Sequence, residues 1–344
     1  MVQFWLLLEY CSMGKPSIAV IGSGVTGLTV GHFLKDFAAV TLFERSYRAG
    51  GRVSTQYTSS HSFDHGAQFF TAKTPAFKAF ISPLICQGVV KSWEADFVEI
   101  RHQKIFKKRR WGLEYPHYVG CPDMSSLGRY LSKDLNIIFD KNIVSTQSLN
   151  NNWLLTDQSG PIDNHYDWLV LTIPPEQAAQ IVSNEIRIIN EINNYHMKSC
   201  FSLMLSLKSD VKIPFQSALV HDQDISWISV NSSKPERGTL LSLVVHSTNQ
   251  WADEHLQDQE DQVISYLFGQ LNQILNIDTD SVIEKKLHRW RYANIAKSNQ
   301  RAFLLDEKNK IAICGDWLIQ GRVEAAFTSG LKLSQSLPGV LSSS

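Results

Sequence analysis

Cysteine is scarce in this chain and never occurs in a paired spacing. The five cysteines, Cys11, Cys86, Cys121, Cys200 and Cys314, include no CxxC motif. The sequence therefore favours neither a zinc site nor a disulfide framework. A reducing, cytoplasmic compartment is the expectation that follows.

An excess of charge of one sign is also missing. Lys plus Arg and Asp plus Glu both number 33, which argues against a general basic field that gathers nucleic acid or anionic lipid. The one basic segment, RHQKIFKKRR at 101–110, is a candidate anion patch, although a solvated hairpin is the favoured interpretation.

Long hydrophobic runs are absent apart from the first residues. The start, MVQFWLLLEYC, lacks a positively charged n-region, has a short apolar stretch and contains Glu9, which argues against a signal peptide or a membrane span. A more ordinary start begins at Met13, and residues 1–12 are interpreted as a non-native or disordered extension. The overall composition, 43% hydrophobic and 19% charged, is that of a globular protein.

The glycine-rich segment IAVIGSGVTGLTVG at 18–31 predicts a dinucleotide-binding turn between a strand and a helix. Gly22 permits the tight turn, Gly24 lets the backbone approach a pyrophosphate, and Gly27 brings the helix against the strand. Glu44, 17 residues after Gly27, ends the next strand, where a carboxylate binds ribose hydroxyls. This spacing alone does not separate NAD from FAD.

The residues after Glu44 favour FAD. ERSYRAGGRVST places Gly50, Gly51 and Arg52 there, and this resembles the GGR motif of two-dinucleotide-fold flavoproteins, whose arginine reaches the pyrophosphate. ICGDW followed by GRVEAAFTSG resembles their second flavin motif, with Asp316 on the ribityl chain and a helix N-terminus at the flavin pyrimidine. No second strand-linked GxGxxG occurs, which argues against a disulfide reductase that binds NADPH in its own domain.

Two kinds of strand and helix pattern alternate along the chain. Buried strands near residues 18, 166 and 310 belong with the dinucleotide motif, whereas the stretches between them predict antiparallel strands and an amphipathic helix at 258–275. We predict an α/β fold, a two-dinucleotide-binding-type Rossmann FAD domain interleaved with an antiparallel-sheet plus helix substrate domain. The FAD domain is predicted at 14–75, 119–179 and 286–338, and the substrate domain at 76–118 and 180–285.

Several specific segments together resemble the bacterial renalases. They are the GGR segment, FDHGAQFFTA at 63–72, VVHSTNQWA at 244–252, HRWRYA at 288–293 and CGDWLIQGRVEAAFTSG at 314–330. The resemblance covers about residues 15–338. It implies a fold like p-hydroxybenzoate hydroxylase and the flavin amine oxidases. It also implies oxidation of 2- and 6-dihydro isomers of NAD(P)H, a metabolite repair, with O2 as acceptor and hydrogen peroxide as product.

Four residues are predicted to be catalytic: His246, Trp290, Gln68 and Tyr292. Hydride transfer from a dihydronicotinamide removes no proton from carbon, so the site has to stack rings and exclude water. Trp290 and Tyr292, two apart on a strand, share a face and either line the pocket or pack in the core. His246 ends a strand, where a neutral imidazole either hydrogen-bonds the nicotinamide carboxamide, helps protons reach reduced oxygen, or is structural.

The residues predicted to bind FAD come from all of these motifs. The resemblance places the backbone of Gly66 and Ala67 against the flavin, with Gln68 beside them, and Val144 at the adenine, although an ordinary strand is the alternative for Val144. Arg322 puts a positive charge where the helix dipole disfavours one, which suggests the flavin or a buried acid as its partner. The predicted set is Gly22, Gly24, Val25, Thr26, Gly27, Glu44, Arg45, Gly51, Arg52, Gly66, Ala67, Gln68, Val144, Thr172, Gly315, Asp316, Arg322 and Val323.

The predicted partners are a dihydronicotinamide dinucleotide and O2, with no nucleic acid and no membrane, and the chain is predicted to be a monomer or weak dimer. His61 and His65 lie four apart but have no acid or cysteine in ligand spacing, so no metal site is predicted. Two alternatives stay open. One is another flavin amine oxidase-like activity, on an amine, a porphyrinogen or a polyene, and the other is a flavin-binding protein without catalytic activity.

Overall fold

The computed structural model describes residues 14–59, 61–295 and 301–341, and the predicted extension at 1–12 lies outside them. The chain divides into two compact units. The first unit comprises the described residues within Met1–Gly51, Leu131–His196 and Ile295–Ser344, and the second comprises those within Arg52–Tyr130 and Met197–Asn294. These boundaries follow contacts within each unit. The predicted domain boundaries at 75, 118, 179 and 285 follow sequence patterns and stay predictions.

Strands make up most of the regular structure. They are β1 (Ser17–Ile21), β2 (Ala39–Phe43), β3 (Gln56–Tyr57), β4 (Ser62–Phe63), β5 (Val90–Ser92), β6 (Asp96–Arg101), β7 (Lys104–Arg110), β8 (Tyr118–Gly120), β9 (Asn136–Ile138), β10 (Ile143–Leu149), β11 (Asn152–Asp157), β12 (Gly160–Tyr166), β13 (Trp168–Leu171), β14 (Lys198–Leu207), β15 (Ser217–Val220), β16 (Ile225–Val230), β17 (Ser242–Ser247), β18 (Val282–Asn294), β19 (Phe303–Asp306) and β20 (Ile311–Cys314).

Helices separate many of these strands. They are α1 (Val25–Leu34), α2 (Pro75–Cys86), α3 (Ser125–Leu131), α4 (Pro175–Ile181), α5 (Arg187–Ile192), α6 (Asn249–Glu254), α7 (Glu260–Leu275) and α8 (Val323–Leu341), with short 3₁₀ helices at Asn231–Ser233, Thr279–Ser281 and Asp316–Leu318. Within the described ranges, no helix combines the length and the hydropathy needed to cross a lipid bilayer.

The first unit is built on a six-stranded sheet in the order β19-β20-β13-β1-β2-β9. All its pairs are parallel except β19 with β20. β1 and β13 are almost wholly apolar and buried, as expected for central strands of a parallel sheet. Helix α8 packs on α1 so closely that a Cβ on Gly330 would lie 2.8 Å from the Thr26 carbonyl oxygen. A separate three-stranded antiparallel sheet, β10-β11-β12, completes the regular strands of this unit.

The second unit is built on a seven-stranded sheet in the order β18-β14-β17-β16-β15-β6-β7. Its pairs are antiparallel except β6 with β15. One face carries residues such as Leu243 and Val245 and packs on Leu267 and Leu271 of α7. Because side chains alternate across a strand, the other side chains of these strands point to the opposite face, which we call the front face.

The basic segment 101–110 forms a hairpin, as predicted, with β7 at the edge of the seven-stranded sheet. Lys107 pairs with Glu99 at 3.0 Å and Arg110 with Asp96 at 2.9 Å. Exposed lysines and arginines on an edge strand discourage pairing with another chain. The charges of Lys107 and Arg110 therefore have a structural explanation that requires no anionic ligand.

Candidate functional site

The glycine turn of the first unit forms an open space at the start of α1. Gly22 has φ 101°, and a Cβ on Gly27 would lie 2.1 Å from the Gly22 carbonyl oxygen, so both positions require glycine. Gly24 is the N-cap residue of α1 and offers no side-chain acceptor, and a Cβ there would meet no heavy atom within 4 Å. The first N–H groups of α1, at Val25 and Thr26, thus begin a helix whose positive end suits an anion.

Glu44 follows β2 and holds the glycine turn in place. Its Oε2 accepts hydrogen bonds from the backbone N–H and hydroxyl of Ser23 at 3.0 and 2.8 Å, and its Oε1 accepts from the Ser46 N–H at 2.9 Å. A carboxylate has about four acceptor positions, so capacity for about one hydroxyl donor remains. Neighbouring Arg45 is exposed.

The GGR loop packs against the same turn. The Gly50 N–H donates to the Ser23 carbonyl oxygen at 2.9 Å. Gly51 has φ 57°, and a Cβ on it would approach Gly24 Cα to 3.2 Å. Both glycine motifs of the first unit therefore frame the open space at Gly24.

Thr172 supports this turn from the end of β13. Its hydroxyl donates toward the carbonyl oxygens of Ile21 and Gly22 at 2.9 and 3.0 Å, and it stands 2.9 Å from the position that a Cβ on Gly27 would take. Thr172 therefore shapes the glycine turn, which is a supporting contribution that the sequence did not distinguish from direct cofactor contact.

The C-terminal motif lies at the end of β20 and the start of α8. The Gly315 N–H donates to Ser329 Oγ at 2.8 Å, and Asp316 is 5% exposed. Arg322 is exposed and directly precedes Val323, the first residue of α8. Among the described carboxylates none forms an ion pair with Arg322, so the structure supplies no buried acid for it.

Val144 occupies a β-bulge in the first unit. Ile143 pairs with Asp157 and Ser145 with Thr156, so Val144 falls outside the register of β10 and β11. Its side chain is 41% exposed. A bulge leaves backbone groups outside the ladder, as a backbone-mediated adenine contact requires.

In the second unit, Arg52 lies with the segment that follows β4. Its Nη1 donates to the Ala293 carbonyl oxygen at 3.0 Å, and its own carbonyl accepts from the Ala67 N–H at 3.0 Å. A Cβ on Gly66 would stand 2.0 Å from the Arg52 carbonyl oxygen and 3.4 Å from Trp290 Cζ2. Arg52, Gly66, Ala67 and Trp290 are thus neighbours within this unit.

The carbonyl oxygen of His65 joins two of the predicted catalytic residues. Trp290 Nε1–H donates to it at 2.8 Å, and His246 Nε2 lies 3.3 Å from it. The Trp290 ring also stacks on the His65 ring, with centroids 5.1 Å apart. Tyr292 lies two residues beyond Trp290 in β18, where the register with β14 shifts between Trp290 and Asn294. The alternation that predicted one shared face for Trp290 and Tyr292 is therefore interrupted here.

Gln68 is held by both ends of its amide. Oε1 accepts from Ser229 Oγ at 2.6 Å and from Lys234 Nζ at 3.2 Å. Gln68 Nε2 is therefore the amide nitrogen, and it donates to the backbone carbonyl oxygens of Asp64 and Gly66. The same nitrogen lies 3.4 Å from His246 Nε2. Because Lys and Ser donate to Oε1, the orientation of this amide is fixed.

A buried ion cluster stands behind Gln68. Asp64 Oδ2 accepts from Lys234 Nζ at 3.1 Å and from Arg237 Nη2 at 2.5 Å, and all three side chains are at most 1% exposed. Oδ1 accepts from Thr55 Oγ1 and from the Met124 N–H. Two cations share one carboxylate, so the cluster carries one excess positive charge when all three groups are ionised.

Burial dominates the pKa values of His246 and His65. It lowers the pKa of His246 to about 4, with the His65 carbonyl opposing and Lys234 adding to the shift. Burial and then His288 lower the pKa of His65 to about 3. Burial also lowers the pKa of Lys234 to about 8, although Asp64 opposes it. At neutral pH both imidazoles are therefore neutral and Lys234 is largely protonated.

The sequence did not identify the buried roles of Asp64, Lys234 and Arg237. Lys234 and Arg237 lie in NSSKPERG, which has the composition of an exposed turn. The signal that was available is the resemblance segment FDHGAQFF, which contains Asp64, but its partners are distant in sequence.

His61 and His65 are the two histidines that the sequence analysis considered, and rejected, as metal ligands. The structure separates their contacts, because His61 Nε2 lies 3.0 Å from Ser206 Oγ whereas His65 Nε2 lies 3.5 Å from Ser54 Oγ. Within the described ranges, no three or more His, Cys, Asp or Glu side chains are grouped so that they could hold a metal ion.

Comparison with protein families decides the identity. A model of an NAD(P)-binding Rossmann-like domain matches residues 20–84, and that of the flavin containing amine oxidoreductases matches residues 124–337. The chain belongs to the flavin containing amine oxidoreductase family. This flavin amine oxidoreductase is an FAD-dependent enzyme, which confirms the predicted cofactor and enzyme class.

Individual relatives agree with this assignment. Mouse renalase is 23% identical to this flavin amine oxidoreductase over 308 residues, 82% of the chain and 86% of the relative. Coproporphyrinogen III oxidase of Mycobacterium tuberculosis is 35% identical over only 76 residues, 21% of the chain and 17% of the relative. The predicted resemblance to renalases is thus confirmed at low identity.

Solved structures show the same fold. A candidate protoporphyrinogen oxidase from Exiguobacterium sp. 255-15 superposes with TM-score 0.76 at 11% identity, covering 95% of this chain and 99% of that one. Putrescine oxidase bound to putrescine gives TM-score 0.65 at 10% identity, covering 94% and 99%. The predicted α/β fold of this flavin amine oxidoreductase is confirmed, whereas its predicted cytoplasmic location and oligomeric state stay predictions.

Proposed function

We propose that this flavin amine oxidoreductase oxidises the 2- and 6-dihydro isomers of NAD(P)H to NAD(P)+. FAD, when bound, accepts a hydride from the substrate and passes the electron pair to O2, so that isomer, O2 and one proton give NAD(P)+ and hydrogen peroxide. One observation supports the proposal most directly. The groups around His246 are neutral or aromatic, and the buried cluster of Asp64, Lys234 and Arg237 behind them carries an excess positive charge.

Neutral groups suit the removal of a hydride from a dihydronicotinamide ring. This step takes no proton from carbon, so it needs no ionised base. The imidazoles of His246 and His65, with pKa values of about 4 and 3, stay neutral at pH 7. We assign the indole of Trp290, with Tyr292 beside it, to the wall against which the substrate ring packs and from which water is excluded.

The buried charge favours an anionic substrate over an amine. Lys234 and Arg237 together exceed the single charge of Asp64, and Lys234 reaches the Gln68 amide that lies beside His246. An alkylammonium substrate would be repelled by this excess charge, whereas the pyrophosphate of a dinucleotide would be attracted. This supports a dinucleotide substrate within a family named for amines.

The hydrogen bonds around His246 support a defined tautomer. Gln68 Nε2 directs its hydrogens to the carbonyls of Asp64 and Gly66, so His246 Nε2 serves as the donor to the His65 carbonyl. Nδ1 then keeps its lone pair. We assign Nδ1 to accept a hydrogen bond from the carboxamide N–H of the nicotinamide.

The first unit supplies residues suited to the ADP part of FAD. We assign the N–H groups at the start of α1 to the pyrophosphate, Glu44 to a ribose hydroxyl and the bulged backbone of Val144 to adenine. The open space at Gly24, which a side chain would fill, is the structural feature that fits this group. Asp316 and the start of α8 are assigned to the flavin end, as are Arg52, Gly66 and Ala67.

Anaerobic mixing tests the proposed reaction. The FAD-loaded protein is mixed with borohydride-reduced NAD+, which contains the 2- and 6-dihydro isomers, and flavin absorbance is followed. We expect the isomers to bleach the flavin within seconds, and ordinary 4-dihydro-NADH, putrescine and a porphyrinogen to bleach it far more slowly. Fast bleaching by putrescine or the porphyrinogen, with none by the isomers, would overturn the proposal.

Replacing His246 with alanine should slow flavin reduction without releasing FAD. Loss of one positioned hydrogen bond, at about 1 to 1.5 kcal/mol, corresponds to about a tenfold fall in the rate. The matched control is His255→Ala, because His255 pairs with exposed Asp258 and its side chain is 38% exposed. Stopped-flow rates measure both, and an unchanged rate in His246→Ala would remove His246 from the substrate site.

A further inference from the structure

Beside His246, the front face carries an aromatic cluster that no catalytic assignment uses. Trp227 on β16 is the register partner of His246 on β17, and both side chains point to the front face because Ile228 and Val245 point to the α7 side. The ring of Phe69, which follows Gln68, lies 5.6 Å from that of Trp227. The cluster therefore begins one strand away from the proposed substrate ring.

Two more rings extend this cluster toward the sheet edge. The Trp111 ring lies 6.2 Å from that of Trp227 and stacks on His117 at 3.8 Å with an interplanar angle of 1°. Phe69 contacts both Trp111 and His117, with centroids 4.9 and 5.0 Å away. We call Phe69, Trp111, His117 and Trp227 the aromatic cluster. Trp111 is buried, and the other three residues are only partly buried.

The hydrogen bonding of the cluster is incomplete. The indole Nε1–H groups of Trp111 and Trp227 are both buried and find no acceptor among the described residues. Buried donors are nearly always paired in proteins, and each unpaired one is destabilising. Two such donors in contacting rings indicate a place where a ligand brings the acceptors.

The guanidinium of Arg109 lies near the aromatic cluster. Arg109 on β7 is the register partner of Phe97 on β6, and its guanidinium lies over the Phe97 ring at 4.4 Å. Phe97 in turn stacks on Trp111 at 5.2 Å. No described carboxylate forms an ion pair with Arg109, although its charge, after Lys107 and His221, contributes to the lowered pKa of Glu99. The Arg109 guanidinium is therefore free to form an ion pair with an anion.

We infer that the aromatic cluster binds the adenosine phosphate half of the dinucleotide, an inference that rests on the proposed function. A purine has flat faces for stacking and ring nitrogens that accept hydrogen bonds, and its phosphate suits Arg109. From β17, which carries His246, to β6, which carries the Phe97 ring stacked on Trp111, there are three strand spacings, about 14 Å in all, a separation that two riboses and a pyrophosphate bridge. The enzyme is thereby selective for dinucleotides over mononucleotides.

Substrate preference gives the first test. The FAD-loaded enzyme is assayed with the dihydro isomers of NAD+ and of nicotinamide mononucleotide, and the ratio of the two kcat/KM values is measured. We expect Trp227→Leu to lower the dinucleotide to mononucleotide ratio about tenfold, since stacking on one base is worth about 1 to 3 kcal/mol. Phe106→Leu is the control, because Phe106 is 51% exposed on the same edge strand as Arg109 and should leave the ratio unchanged.

Indole N–H signals give a second test that needs no turnover. The FAD-loaded protein, with its nine tryptophans labelled with ¹⁵N, is titrated with AMP, and Trp111→Phe and Trp227→Phe assign the two signals. We expect both signals to move, whereas that of Trp153, which already donates to the Asn309 and Lys310 carbonyls, stays in place.

The two tests separate the inference from the proposed function. Unmoved Trp111 and Trp227 signals together with an unchanged substrate ratio would overturn the adenylate subsite while leaving isomer oxidation standing. If no isomer reduces the flavin, the proposed function fails. The AMP titration then decides by itself whether the aromatic cluster is an adenylate site.

Discussion

Gly24→Ala should leave the protein folded and deprive it of FAD. An added Cβ at Gly24 meets no heavy atom of the chain within 4 Å, and the backbone there, at φ −66° and ψ 178°, is one that alanine adopts freely. The methyl group would instead occupy the space through which a pyrophosphate reaches the first N–H groups of α1. Losing about two hydrogen bonds to a charged group predicts at least about 100-fold weaker FAD binding.

Replacing Gly27, the next glycine of the motif, should destabilise the fold itself. A Cβ on Gly27 would lie 2.1 Å from the Gly22 carbonyl oxygen, so Gly27→Ala should lower the unfolding temperature even of the flavin-free protein. Gly269→Ala on α7 is the control, because a Cβ at Gly269 meets nothing within 4 Å. It should stabilise the protein slightly, since alanine restricts the unfolded chain.

Titration of flavin-free protein with FAD and thermal unfolding of the same samples separate these effects. Gly24→Ala is expected to change the dissociation constant of FAD and not the flavin-free unfolding temperature, and Gly27→Ala to change the unfolding temperature. Tight FAD binding by a folded Gly24→Ala protein would show that the pyrophosphate does not approach this glycine.

The fold was predictable because its signals are local. The strand, glycine turn and helix of residues 18–34 are contiguous, and the resulting geometry at Gly22 and Gly27 follows from the tight turn. The hairpin at 101–110 and helix α7 likewise carry their periodicity within one segment. Helix α2 was not predicted, although Thr74 and Pro75 supply an N-cap and a first-turn proline.

The glycine turn and Glu44 were predictable from their spacing, whereas the residues around His246 were predictable only where they lie in a segment that carries the resemblance. His246, Trp290 and Gln68 meet at the backbone of residues 64–66, yet His246 and Trp290 are each separated from that segment by more than a hundred residues in the sequence. The partner of a polar residue across such a distance is set by strand register, which periodicity does not determine. For the same reason Trp227 was not predicted as a site residue, although the strand register places it directly beside His246.

Asp64→Asn should destabilise the protein more than any surface substitution. It leaves the ammonium of Lys234 and the guanidinium of Arg237 buried, at 0% and 1% side-chain exposure, without their shared carboxylate. Removing one partner of a buried ion pair costs about 3 to 5 kcal/mol. Denaturant unfolding measures the loss, and Asp96→Asn, which breaks the exposed pair with Arg110, should cost less than about 1 kcal/mol.

The pH dependence of this loss identifies its electrostatic origin. Burial would raise the pKa of Asp64, but Lys234 and Arg237 outweigh it and lower the pKa to about 2, against 3.8 in the unfolded chain. A carboxyl with a lowered folded pKa stabilises the protein above its unfolded pKa and loses that effect as the pH falls. The difference between wild type and Asp64→Asn should therefore shrink as the pH falls from about 5 toward 2. Adding Lys234→Met to Asp64→Asn removes one uncompensated cation and should restore part of the stability, whereas a further additive loss would mean that packing, and not charge, governs the cluster.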